Sequence, residues 1–138
     1  MPSMNGSCLC GKIRYRAEGD PVLTGVCHCA HCQKQTGTSY LVFVAVKRAG
    51  FSVVDGTPGI YETIGDSGKP VKRHFCRDCG SPVFSLIDVA PDFTMLPAGT
   101  LEDRSWVKPS MHLYCDSAQP WVRIDGDVTK FPKARVRA

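Results

Sequence analysis

The chain has 138 residues, 43% hydrophobic and 22% charged, a balance that excludes disordered and collagen-like classes. That length supports one ordinary core and not two, so a single domain over 1–138 is expected, with its core at about 5–125 and a tail over 126–138. The formal net charge of +4 is modest, and Lys and Arg are scattered apart from Lys130, Lys133, Arg135 and Arg137, a pattern of solvated surface rather than of a nucleic-acid interface.

No apolar stretch approaches the roughly 20 residues that span a bilayer, so no membrane association is expected. The first residues, MPSMNGSCLCGK, lack a basic segment followed by an apolar one, which makes a cytoplasmic location the default expectation.

In chain order, Ile13, Tyr15 and Ala17 alternate with Lys12, Arg14 and Arg16, the two-residue period of a half-buried strand. Ala30–Thr36 reads as helical. Tyr40 to Val46 is a continuous apolar run and reads as a buried strand. Further strands are predicted over Phe51–Val54, Ile60–Ile64, Val71–Phe75, Pro82–Ile87, Phe93–Leu96 and Met111–Cys115, divided by turns such as Asp55-Gly56, Pro58-Gly59 and Asp66-Ser67-Gly68. A second helical turn is expected near Ser117. Many short strands without a long amphipathic helix predict a mainly β, antiparallel architecture whose small core is cross-linked by metal. The first few residues and the stretch after Phe131 are expected to fray.

Eight cysteines stand in the chain. With no export signal, they are read as metal ligands or catalytic thiols rather than as disulfides. Seven fall in three clusters: Cys8-Leu9-Cys10, Cys27-His28-Cys29-Ala30-His31-Cys32 and Cys76-Arg77-Asp78-Cys79-Gly80. The last resembles a zinc knuckle, two thiolates on a tight turn closed by a glycine. It supplies half of a tetrahedral site. Cys8 and Cys10 can supply the rest, because residues i and i+2 of a strand present both sulfurs on one face. Such a cross-link joins the start of the chain to its middle, and structural zinc is worth roughly 10–16 kcal/mol in small metal-dependent domains.

Cys27, Cys29 and Cys32 place three sulfurs within six residues, which leaves a fourth position on the ion for water or substrate, the pattern of catalytic zinc. Three thiolates make the ion a mild Lewis acid that suits a thiol substrate. His28 or His31 can replace a cysteine ligand, although an extended segment points His28 away from Cys27 and Cys29. Cys115 can close the site as a fourth ligand. The alternative is a core cysteine, since Met111 and Leu113 are apolar. His74 shares a face with Cys76 and reads as its neighbour.

At these clusters the sequence resembles the glutathione-dependent formaldehyde-activating enzyme family, which shares its domain with centromere protein V. The likeness runs through Gly6-Ser7-Cys8-Leu9-Cys10-Gly11, the Cys27–Cys32 stretch with Thr36-Gly37, Phe75–Ser81, Ala98-Gly99-Thr100-Leu101, His112 and Pro120-Trp121. It implies a β-tent fold and two Zn2+ per chain, a structural ion on Cys8, Cys10, Cys76 and Cys79 and a catalytic ion on Cys27, Cys29 and Cys32. It implies a carbon-sulfur lyase that joins glutathione and formaldehyde as S-hydroxymethylglutathione, or acts on a related thiol adduct. The sequence departs from the family pattern at Cys115 and in a lengthened end over 125–132. Two other functions remain open on the residues alone: a non-catalytic zinc module that binds protein or nucleic acid, and a purely structural protein in which Cys115 completes the second site. Lys34, Lys72 and Arg73 neighbour the clusters and are candidates to meet a substrate's carboxylates.

Overall fold

The computed structural model of the chain describes residues 3–135. Among these it forms eleven strands and one short helix: β1 (Ser3–Ser7), β2 (Arg14–Glu18), β3 (Leu23–Cys27), α1 (Ala30–Thr36), β4 (Leu41–Lys47), β5 (Phe51–Asp55), β6 (Gly59–Ile64), β7 (Pro70–Phe75), β8 (Pro82–Ile87), β9 (Phe93–Pro97), β10 (Met111–Leu113) and β11 (Thr129–Lys130). The strands make a three-stranded sheet, β1-β2-β5, and an eight-stranded sheet, β11-β10-β3-β4-β9-β8-β7-β6. The fold is mainly β, as expected. Arg137 lies outside the described residues.

The main core lies between the sheets. Tyr15 and Ala17 of β2, with Ile13 just before it, meet Val44 and Val46 of β4, Val83 and Phe84 of β8, and Leu96 of β9. β4 explains why its sequence is apolar without alternation. Val42, Val44 and Val46 face this core, whereas Leu41 and Phe43 face a second cluster with Cys27, Cys32, Leu23, Met95 and Tyr114. A strand buried on both faces needs no polar side.

Gly6 pairs with Tyr15 across β1 and β2, and the Tyr15 ring lies over it. A Cβ at this position would enter the ring and stand 2.7 Å from the Thr100 carbonyl oxygen. The Thr100 hydroxyl donates to the Pro97 carbonyl (2.8 Å) and so accepts from the Tyr15 phenol (2.6 Å). Thus Gly6 and the Ala98–Thr100 turn form one packing unit that fixes where β1 delivers Cys8. Burial pushes the Tyr15 phenol from 10.0 up to about 12. Because the folded value is raised, the associated stability is present below pH 10 and is lost as pH rises through 12. Denaturant titrations between pH 9 and 12 should show about 2–3 kcal/mol of this loss in the wild type and not in Tyr15→Phe.

Four features differ from the sequence reading. β1 occupies residues expected to fray, held by full antiparallel pairing with β2. β3 was not predicted, its apolar period being interrupted by Gly25, whose missing side chain admits the Phe43 ring. The sheet is not wholly antiparallel, since β10 runs parallel to both β3 and β11. Residues 131–133, where the tail was expected to fray, are tied down, with the carbonyls of Phe131, Pro132 and Lys133 accepting from the backbone N–H groups of Cys115, Asp116 and Tyr114.

Candidate metal centres

The first centre is built by two turns. β1 ends at Ser7, and Cys8 to Cys10 form a turn rather than the strand expected. The Cys8 N–H donates to the Ile13 carbonyl (3.1 Å), and its carbonyl accepts from Gly11 (3.2 Å). Gly11 has φ 79°, a left-handed conformation that a side chain resists. The second turn follows β7. The Gly80 N–H reaches the Cys76 carbonyl at 2.8 Å, with φ 78° at Gly80, so the expected knuckle glycine has the conformation the turn requires. The Leu9 N–H donates to Ser81 Oγ (3.1 Å) and joins the two turns.

All four sulfurs, of Cys8, Cys10, Cys76 and Cys79, lie within 4.8 Å of one another. The Cys8–Cys10 and Cys10–Cys76 separations are 3.6 and 3.7 Å. A tetrahedral ion with bonds of about 2.3 Å to sulfur requires edges of about 3.8 Å, which these two separations match. Two of its sulfurs are drawn toward the thiolate, whereas Cys10, despite a lowering bond from the Lys12 backbone, is pushed up to about 11 by desolvation and the neighbouring cysteines. The Ile13 N–H donates to Cys8 Sγ (3.3 Å), and the Ser81 hydroxyl, 3.2 Å away, helps to bring the Cys79 thiol down to about 5.

The second centre lies in the other cluster. Cys27 ends β3, Cys29 caps α1, and Cys32 sits in its first turn, so one strand-to-helix junction gathers all three sulfurs within 4.8 Å. The Cys32 N–H donates to Cys29 Sγ (3.3 Å). α1 closes at Gly37 in a left-handed conformation, φ 70°. Hydrogen bonding by the Cys27 and Cys32 thiols draws Cys29 down to about 2, and the same contacts with burial push Cys27 up. Cys27 and Cys32 are buried while Cys29 is half-exposed, so the cluster opens on the Cys29 side. All eight cysteines are free thiols.

The histidines stay out of both cages. His28 points away from the trio, as an extended segment requires, and is fully buried, with its Nε2 at 2.9 Å from His112 Nδ1. Its own Nδ1 is buried without a partner. Burial, then the charge of His112, lowers its pKa. His31 is exposed, and His74 stacks on Phe84 with ring centres 4.1 Å apart. Cys115 was expected on a strand, but β10 stops at Leu113 and Cys115 lies in a helical turn, half-buried, with its sulfur 3.6 Å from the His112 carbonyl. It does not join the trio.

Two neighbours of the trio had no sequence signal. Tyr114 adopts a left-handed backbone, φ 56°, unusual for a bulky residue, and packs in the same cluster as the three cysteines. Asp66, in the β6–β7 turn, acts on its phenol, which burial first and this carboxylate second push up to about 12. The β6–β7 turn therefore lies close to the end of β10. Of the basic candidates, Arg73 is half-buried and its charge acts on Cys29 and Cys32, whereas Lys34 is exposed on α1.

Comparison with known proteins agrees with this layout. The family described as "Glutathione-dependent formaldehyde-activating enzyme" matches residues 3–117. A Halomonas elongata protein is 28% identical over 88% of this chain and 81% of its own length. Proteins of Aspergillus flavus and Aspergillus oryzae are each 26% identical over 78% of this chain, which spans only 58% of their length. All three bear the name "Putative glutathione-dependent formaldehyde-activating enzyme". A crystal structure of a Rhodobacter sphaeroides protein superposes with a TM-score of 0.58 at 23% identity, over 77% of this chain and 92% of that one, which speaks for the fold alone. On a family match covering both cysteine cages, the chain belongs to the glutathione-dependent formaldehyde-activating enzyme family.

Proposed function

We propose that the chain is a zinc-dependent carbon-sulfur lyase-type enzyme that joins glutathione and formaldehyde as S-hydroxymethylglutathione, or cleaves a related thiol adduct. Cys8, Cys10, Cys76 and Cys79 hold a structural zinc, and Cys27, Cys29 and Cys32 hold a catalytic one. The observation that carries this reading is the trio of converging sulfurs that opens on the half-exposed Cys29. The names of the relatives support glutathione as the thiol.

A zinc ion on the trio supplies a Lewis acid that keeps a bound thiol ionised at neutral pH. The chain's residues do the rest. Buried Cys27 and Cys32 fix one side of the site and leave a single direction of approach. In the forward direction the glutathione sulfur forms a bond to the aldehyde carbon, the C=O π electrons pass to oxygen, and that oxygen takes a proton as the thiol gives one up. Tyr114, held protonated, is a neutral donor packed beside the trio. His28 and Gln33 set the helix: the Gln33 amide donates to the carbonyls of His28 (2.7 Å) and Ser117 (3.0 Å).

Thiols add to formaldehyde unaided, so the test is one of rate. Exchange NMR on glutathione and formaldehyde should show faster interconversion with the zinc-loaded protein, and the rate of plain buffer with Cys29→Ala. Equal exchange in the presence and absence of the wild type rejects the reading.

A further inference from the structure

Arg73 projects from β7 and is half-buried, yet its only side-chain partner among the described residues is neutral: Nη1 donates to Thr63 Oγ1 at 2.9 Å. No ion pair of the described residues includes it. A partly desolvated charge without a counter-charge is unfavourable, and a guanidinium presents its remaining donors in a planar fork that matches a carboxylate. Arg73 lines a cavity of about 210 Å³ with Gln35, Tyr61, Phe75, Gly80 and Pro82. Gln35 lies one turn of α1 beyond Cys32, and Gly80 follows Cys79, so segments carrying both cysteine clusters contribute to its lining.

We propose that this cavity is a subsite for a carboxylate carried by the thiol substrate, with Arg73 as the anchoring cation and Gln35 and Tyr61 as additional polar contacts. Phe75 and Pro82 give it an apolar wall. Its volume is below the 300–1,000 Å³ typical of sites for whole drug-sized ligands, so it takes the carboxylate-bearing end and leaves the thiol to reach the trio. The assignment rests on the trio binding a thiol, and the test separates the two claims.

Zinc-loaded protein is titrated calorimetrically with glutathione, its glycine monoethyl ester and 2-mercaptoethanol. The wild type should prefer glutathione over the ester by about tenfold or more, the range for a hydrogen-bonded charge pair. Arg73→Gln should erase that ratio while keeping both zinc ions and a cooperative melt, and Arg73→Lys should retain part of it. If Arg73→Gln fails to fold, a full wild-type ratio in Arg73→Lys overturns the proposal and a reduced one supports it. An unchanged ratio in a folded Arg73→Gln overturns it. Equal binding of all three thiols by the wild type removes the subsite alone, whereas binding of none removes the thiol site and the subsite with it.

Discussion

Cys76→Ala is expected to abolish the folded state. Cys76 is 1% exposed and belongs to the main core, where it joins the end of β7 to the turn after β1. Structural zinc contributes roughly 10–16 kcal/mol in comparable small sites, against a total stability of about 5–15 kcal/mol for ordinary domains. Removing one of four sulfurs also leaves three thiols in a cage shaped for thiolates. Thermal scans should lose their cooperative transition, and amide resonances should collapse to the dispersion of an unfolded chain. A cooperative melt within a few degrees of the wild type contradicts a structural role for this site.

Cys32→Ala should behave in the opposite way. Its cluster is small and peripheral to the main core, and the trio's ligands all come from one strand-to-helix junction, so no distant segments separate when it is lost. Losing one small buried side chain costs about 1 kcal/mol, which lowers the melting temperature by roughly 2–5 °C for a chain of this size. Bound zinc should fall from two ions to one, and acceleration of S-hydroxymethylglutathione exchange should vanish. Retained acceleration with one ion bound would move the chemistry elsewhere.

The contrast follows from what was legible in the residues. Cysteine spacing showed that the seven sulfurs form clusters, because each cluster is local in sequence, and both cages assemble from the residues expected. α1 was readable to the residue, as were the alternation leading into β2 and the uninterrupted apolar run of β4. The reason Cys8 and Cys10 converge was not: a left-handed Gly11 closes a turn where the two-residue period implied a strand. β1 and β3 escaped notice because each has a glycine under an aromatic ring of its partner strand, Gly6 under Tyr15 and Gly25 under Phe43. At those positions the apolar surface belongs to the neighbour, so the strand's own pattern is blank. Tyr114, Asp66 and the cavity around Arg73 depend on contacts between segments distant in sequence, which leave no local signature.

Diffraction at the zinc absorption edge, on crystals grown without added metal, tests the division of the sulfurs into four and three most directly. Two anomalous peaks per chain are expected, one enclosed by Cys8, Cys10, Cys76 and Cys79, the other touching only Cys27, Cys29 and Cys32 among protein ligands. A single ion that draws sulfurs from both cages, or a second ion closed by Cys115, would contradict the account.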